Sequence, residues 1–312
     1  MALSKIATAV AGVTFAVVSM GSAQAAVLKL DVGGANVFSF TDFQASGSAV
    51  GGAIVAGRDI SLSGYSVNGS NAGAYGGYSV IAGRDFTFSN GSVSNGATYV
   101  GGVANVAPSG SLASPATGGA APVNIGALAA SLTQTSQSLA ALTATAVAEQ
   151  QSNGIFIAGS GSAVEVINLD ASWLNSSSYY NISNVAAGAT LIVNFAGDSA
   201  TFANGYEAFN GYNVLFNLAN ATTVNIGTGL QANLLAPRAS VTGGGGGIDG
   251  TVIVNSWDSS VGIRTGAGFA AVDVPGLVLP SVVPEAETWA MLVAGLGLVG
   301  FMSRRRQSVA SR

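Results

Sequence analysis

Two segments of the chain repeat one another. Ile54-Val55-Ala56-Gly57-Arg58-Asp59-Ile60-Ser61-Leu62-Ser63-Gly64 and Val80-Ile81-Ala82-Gly83-Arg84-Asp85-Phe86-Thr87-Phe88-Ser89-Asn90-Gly91 share one pattern at an offset of 26 residues. In each, an apolar run meets Ala-Gly-Arg-Asp, and apolar and hydroxyl residues then alternate with the period of two that marks a half-buried strand. Each copy reads as strand, turn, strand. Strands recurring at one interval are expected when coils stack, because each coil buries its inward face only against its neighbours. The expected fold is mainly β, a right-handed β-solenoid (β-helix), with a β-sandwich as the alternative.

In that reading Gly57, Arg58, Asp59, Gly83, Arg84 and Asp85 form structural repeat turns, where Asp and Arg hydrogen-bond free backbone groups between coils. The same carboxylates could hold calcium or act as acid and base, but one Arg-Asp pair per repeat is what a structural role produces.

Strand-like runs resume at residues 154–158, 164–169, 190–195, 213–218 and 223–226, several alternating apolar residues with Asn as one-sided strands do. A last β segment runs from Asn233 through the five glycines Gly243 to Gly247 and on to Val254. Between the two β regions, residues 104–123 carry Pro108, Pro115 and Pro122 without periodicity and read as a surface excursion. Leu128, Leu132, Leu139 and Leu142 then fall at helical spacing, so residues 124–149 are expected to form one amphipathic helix with Asn124 as N-cap. Such a helix is expected to cap the open end of the β core.

Composition removes whole classes of chemistry. The 312 residues include no Cys and no His, which takes away thiolate nucleophiles, disulfides, the usual base near neutral pH and the commonest metal ligand. No catalytic, cofactor-binding or metal-binding residues are assigned, and no cofactor is expected. Asp249 follows the glycine run, but the spacing lacks a repeated calcium nonapeptide. No Lys-Ser or Lys-Thr follows the glycines, so they are not a phosphate loop. Arg304, Arg305, Arg306 and Arg312 crowd the C-terminus and leave no basic stripe, so nucleic acid is not an expected partner.

The two ends carry addresses. Lys5, an apolar stretch from Ile6 to Met20 and the small-residue site Ala23-Gln24-Ala25 form a signal peptide over residues 1–25, with Ala23 and Ala25 positioned for signal peptidase. At about 15 residues the apolar stretch is too short to span a bilayer. Near the other end, Val283-Pro284-Glu285 leads to Trp289, a short apolar membrane segment over 289–302, and Arg304-Arg305-Arg306. This arrangement resembles the PEP-CTERM sorting signal of Gram-negative bacteria, and the resemblance implies an exosortase-like processing enzyme as a partner. Ala286 stands where the second Pro of that motif is expected. A plain membrane tail is the alternative.

Ala-Gly-Arg-Asp with its alternating residues, the inserted helix, Leu235-Ala236-Pro237-Arg238-Ala239 and Gly247-Ile248-Asp249-Gly250-Thr251-Val252-Ile253 together resemble the bacterial choice-of-anchor A domain. That resemblance runs from about Val37 to Gly262 and implies an adhesive module of β-solenoid type. The organisation is then a signal peptide (1–25), a β domain (26–275), a linker (276–282) and a sorting segment (283–312).

The function these features predict is noncatalytic: an exported structural or adhesive protein of the cell envelope, surface or extracellular matrix, binding polysaccharide or another surface ligand. The alternatives are a polysaccharide lyase or hydrolase, which a cleft with two carboxylates and an Arg or Tyr would favour, and an ice- or mineral-binding protein, which aligned outward Thr rows would favour. Aromatic contacts to a glycan could come from Tyr65, Tyr75, Tyr78, Tyr99, Trp173, Tyr179, Tyr180, Tyr206, Tyr212 or Trp257.

Overall fold

The computed structural model describes residues 26–279; the expected signal-peptide site at Ala23 and Ala25, the expected sorting residues Val283, Pro284, Glu285, Trp289 and Arg304 to Arg306, and the expected membrane segment 289–302 lie outside the described residues. Among the described residues no helix is long and apolar enough to cross a membrane.

The chain is mainly β, and nearly all its strands pair in parallel. Each coil contributes strands to up to three ladders. The first ladder runs from Ala116–Thr117 through Ala97–Val100, Tyr78–Ala82, Ile54–Ala56 and Val37–Ser39 to Val252–Asp258, then through Asn233–Gly243, Asn213–Asn217 and Thr190–Ala196 to Val164–Asp170. The second contains Ala104–Val106, Phe86–Ser89, Ile60–Ser63 and Phe43–Ser46, passes through the ends of Val252–Asp258 and Asn233–Gly243, and finishes with Thr223–Ile226 and Ser199–Phe202. The third joins Gly110–Leu112, Gly91–Val93, Ser66–Val67, Ala49–Val50, Gly262–Arg264 and Gly247–Asp249. Parallel pairing on this scale is not that of an antiparallel sandwich.

Coil order is not chain order. The coil at residues 37–50 lies in the middle of the stack and the next coils build away from it, after which the chain crosses to the far end and builds back. The coil at 252–264 finally seats against the first: Val252 pairs with Val37 and Trp257 with Phe43. Asn36 clamps this seam, its Nδ2 donating to the carbonyls of Gly250 (2.8 Å) and Arg264 (3.2 Å).

Inward side chains from the three ladders make one core, with Trp257 stacked on Phe43 at 5.9 Å between centroids and Phe202 stacked on Phe216 at 5.6 Å. The first ladder is buried on both faces. Its outward row Leu235, Ile253, Phe38, Val55, Ile81 and Tyr99 forms a second core with Leu132 and Leu139. This explains continuous apolar runs such as Ile54-Val55-Ala56.

The helix covers Ile125–Ala140, and Asn124 caps it by accepting from Ala127 N at 3.1 Å. It does not cap the end of the core. It lies along the first ladder, with Ile125 beside Gly57 at one end and Leu139 O bonded to Asn194 Nδ2 at the other. Five coil-to-coil steps of about 4.8 Å separate those points, about 24 Å, which a 16-residue helix at about 1.5 Å per residue matches. Amphipathicity required a buried face, and the doubly apolar ladder offers a longer one than a coil end does. Residues 147–149, expected within the helix, instead begin a strand, and the sheet of Val147–Gln151, Gly154–Ala158 and Tyr179–Ser183 covers that end of the core through Ile155, Ile157 and Tyr180.

Residues 104–123 are likewise no excursion. They include Ala104–Val106, Gly110–Leu112 and Ala116–Thr117, the last coil at the opposite end, whose strands are too short and too exposed to show alternation. Finally, Ala26–Leu28 pairs antiparallel with Val272–Val274 over the helix-covered side, where Leu28, Val274 and Leu277 are buried.

Candidate functional site

The repeat turns form a ladder of their own. Arg58 donates to Asp42 through Nε (3.1 Å) and a terminal nitrogen (2.6 Å), and Arg84 does the same to Asp59. Each Asp also accepts a backbone N–H from the next coil: Asp59 N on Asp42 and Asp85 N on Asp59, both at 3.1 Å, and Val103 N on Asp85 at 2.8 Å. The Arg84 guanidinium holds the Asp59 carboxyl down at about 2. Glycine is required here because a Cβ on Gly83 would overlap the carbonyl of Gly57, and one on Gly101 the carbonyl of Gly83. All these carboxylates are engaged coil to coil, which is the geometry of a clamp on the stack.

The second ladder presents the broad open face. Thr201, Asn225 and Thr242 stand in register outward, and one step beyond the Val241–Trp257 pair the row continues as Asp258, Gln44, Ser61, Thr87 and Asn105. Every member is exposed or half-exposed. A parallel row, Ser199, Thr223, Ser240 and Ser256, lies beside it. Seven steps of about 4.8 Å make the longer row roughly 34 Å long. Where the two halves of the stack meet, Gln44, Ser46, Ser61, Ser63, Asp258 and Ser260 line a shallow groove of about 300 Å³. Hydroxyls, amides and one carboxylate, with no cation in the row, suit hydrogen bonding to a hydroxylated surface.

A separate cleft of about 240 Å³ opens where the third ladder stops, lined by Tyr206, Glu207, Asn210, Gln231, Asp249 and Arg264 among others. It has the two carboxylates, Arg and Tyr named above for a polysaccharide-acting site. Tyr206 faces inward, however: it is 4% exposed, lies 4.8 Å between centroids from Tyr180, and burial pushes its hydroxyl far above the usual phenol range. No group of three or more metal-ligating side chains occurs among the described residues. Of the aromatic residues, Tyr65, Tyr99, Tyr180, Tyr206 and Trp257 are buried, whereas Tyr179 is 43% exposed.

Two asparagines read as solvent-facing, Asn194 and Asn217, are buried and hold the helix, while Asn168 beside them stays exposed. Asn168, Asn194 and Asn217 form a side-chain ladder, Asn194 Nδ2 donating to Asn168 Oδ1 (3.0 Å) and Asn217 Nδ2 to Asn194 Oδ1 (2.8 Å). The Ser136 hydroxyl donates to Asn217 Oδ1 at 2.5 Å. Glu165, fully buried, accepts from Thr145, Ser160 and Ser162; burial raises its pKa, but those hydrogen bonds outweigh it and the net shift is downward.

A family described as "Putative Ice-binding-like adhesive domain" matches residues 31–265, and the PEP-CTERM protein-sorting motif matches residues 282–306. No curated protein and no solved structure matches the chain. An adhesive-type domain followed by this sorting motif marks an exported surface protein. With residues 31–265 of 312 covered, the chain belongs to the ice-binding-like adhesive domain family.

Proposed function

We propose that the chain is a noncatalytic adhesin of a Gram-negative cell surface or matrix, a right-handed β-solenoid whose second ladder binds extracellular polysaccharide. The carrying observation is the eight-membered outward row from Thr201 to Asn105, which no other element among the described residues covers. A right-handed turn is the usual sense of parallel β crossovers. Many weak contacts along one rigid ladder sum to useful avidity. The choice-of-anchor A resemblance agrees with this use, and an exosortase-like enzyme would act near Pro284 and Glu285 after signal peptidase has cut at Ala25. No catalytic role is assigned to the cleft, since Tyr206 is withdrawn into the core and Asp249 is tied to Gly266 N.

Ser61→Lys with Thr87→Lys places two long cations in the row, with Ser92→Lys on the third ladder as control. Retention of the purified protein on the producing cells' own extracellular polysaccharide should fall about tenfold or more for the double variant only. Equal retention of all three proteins would defeat the assignment of the face.

Ice or mineral binding is the second reading, supported by the row's strict coil-to-coil register. Thr201, Thr242 and Thr87 are interrupted by Asn225, Asp258, Gln44 and Ser61, which favours a hydroxylated polymer over a uniform lattice. Thermal hysteresis lost in the double variant would favour ice.

A further inference from the structure

The cleft at the end of the third ladder gathers residues from four coils. Arg264 and Asp249 are register partners on adjacent strands, Gln231 follows the Leu230–Ile248 bridge, and Glu207 and Asn210 come from the short turn at Glu207–Phe209. Its charges are unspent. Lys29, Arg58 and Arg84 are ion-paired, whereas within the described residues Arg264 and Glu207 make neither an ion pair nor a side-chain hydrogen bond. Asp249 commits Oδ1 to Gly266 N at 2.6 Å.

Both carboxylates are seated on glycines. A Cβ at Gly205 would overlap Glu207 Oε2, and one at Gly266 would come within 2.8 Å of Asp249 Oδ1. Each acid thus lies close over a glycine, Asp249 half-exposed and Glu207 exposed at the mouth, in a cleft smaller than the ~300–1,000 Å³ of drug-sized sites.

We infer that this cleft is a second binding site, for a single neutral sugar ring. Vicinal hydroxyls donate to the Glu207 and Asp249 carboxylates and accept from the Arg264 guanidinium, while the Asn210 and Gln231 amides serve either way. Two carboxylates against one guanidinium leave the cleft negative, which repels uronate and phosphate ligands. Arg264 and the want of a third acid disfavour a divalent cation, which takes six to eight oxygens. The site shares no residue with the second ladder and stands whether or not that face binds polymer.

Saturation-transfer NMR on the purified full-length protein with D-glucose, D-galactose, D-mannose and D-glucuronate tests it. At least one neutral hexose should bind with Kd on the order of 1 mM. Glu207→Ala and Asp249→Ala should each weaken that binding about tenfold or more. Gly205→Ala displaces only the end of a flexible side chain, so it should weaken binding with an unchanged Tm; Ser61→Lys with Thr87→Lys should leave it intact. Absence of transfer to all three hexoses, affinity unchanged in the Glu207 and Asp249 variants, or tighter binding of glucuronate would overturn the assignment. So would release of new reducing ends from a neutral glucan that Glu207→Gln abolishes, since the cleft would then be catalytic.

Discussion

Replacing Asn217 by Ala should loosen the helix from the stack at a cost far above that of an average surface change. Asn217 is 1% exposed and its amide serves three contacts: the Ser136 hydroxyl at 2.5 Å, the Ser136 carbonyl at 2.9 Å and Asn194 Oδ1 at 2.8 Å. The Ser136 hydroxyl, itself fully buried, and Asn194 Oδ1 are left without these partners. At about 1–3 kcal/mol for each orphaned group the loss comes to roughly 4 kcal/mol. For a domain of this size that corresponds to a fall in Tm of about 10 °C. Urea unfolding followed by the fluorescence of buried Trp257 measures it, with an unchanged m-value showing that the native state still forms. Ser136→Ala in the same chain removes one of the orphans, so the double variant should be less damaged than the sum of the singles by about 1–2 kcal/mol. A single-variant loss under about 1 kcal/mol, or strict additivity, would refute the idea that these groups act as a unit.

Two further outcomes follow from the turn ladder. Gly83→Ala should destabilise by about 1–3 kcal/mol in the same urea assay, because its methyl meets the Gly57 carbonyl and backbone cannot step aside as a flexible side chain can. Asp59→Asn should lower Tm by less than about 4 °C at pH 7, since the pair is solvent-screened at side-chain exposures of 55% and 34%. With the folded carboxyl near 2, below its unfolded value, the contribution of Asp59 is present above about pH 4 and lost as pH falls toward 2, so the Asn variant should show a flatter acid limb in that window.

The repeat at Ile54 and Val80 made strands and turns legible because period-two alternation is a local signal. The helix start was legible for the same reason: Asn124 caps what Leu128 and Leu132 make amphipathic. Which surface the helix covers was not, because a hydrophobic stripe states that a face is buried and not against what. The Asn ladder misled in an instructive way. Beside apolar neighbours an Asn counts as a solvent-facing residue, which holds for exposed Asn168 but not for buried Asn194 and Asn217, and their recurrence at offsets of 26 and 23 residues in equivalent strand positions is the one signal that could have disclosed them as stacked. Closure of the coil at 252–264 onto the coil at 37–50 leaves no local trace, since the pairing spans most of the chain. The same holds for the cleft, whose Glu207, Asp249 and Arg264 converge without any spacing motif.

The antiparallel pair of Ala26–Leu28 with Val272–Val274 brings the two ends of the described residues to one spot. Tension drawn through the C-terminal chain would reach this two-strand latch, backed by Val274 and Leu277, before it reached any coil. The first strand of the latch begins one residue past Ala25, so the cut expected of signal peptidase after Ala25 would leave it whole, and a cut even three residues later would remove it. Where that strand begins thus decides whether a pull from the tail is met by a closed buckle or a single hook.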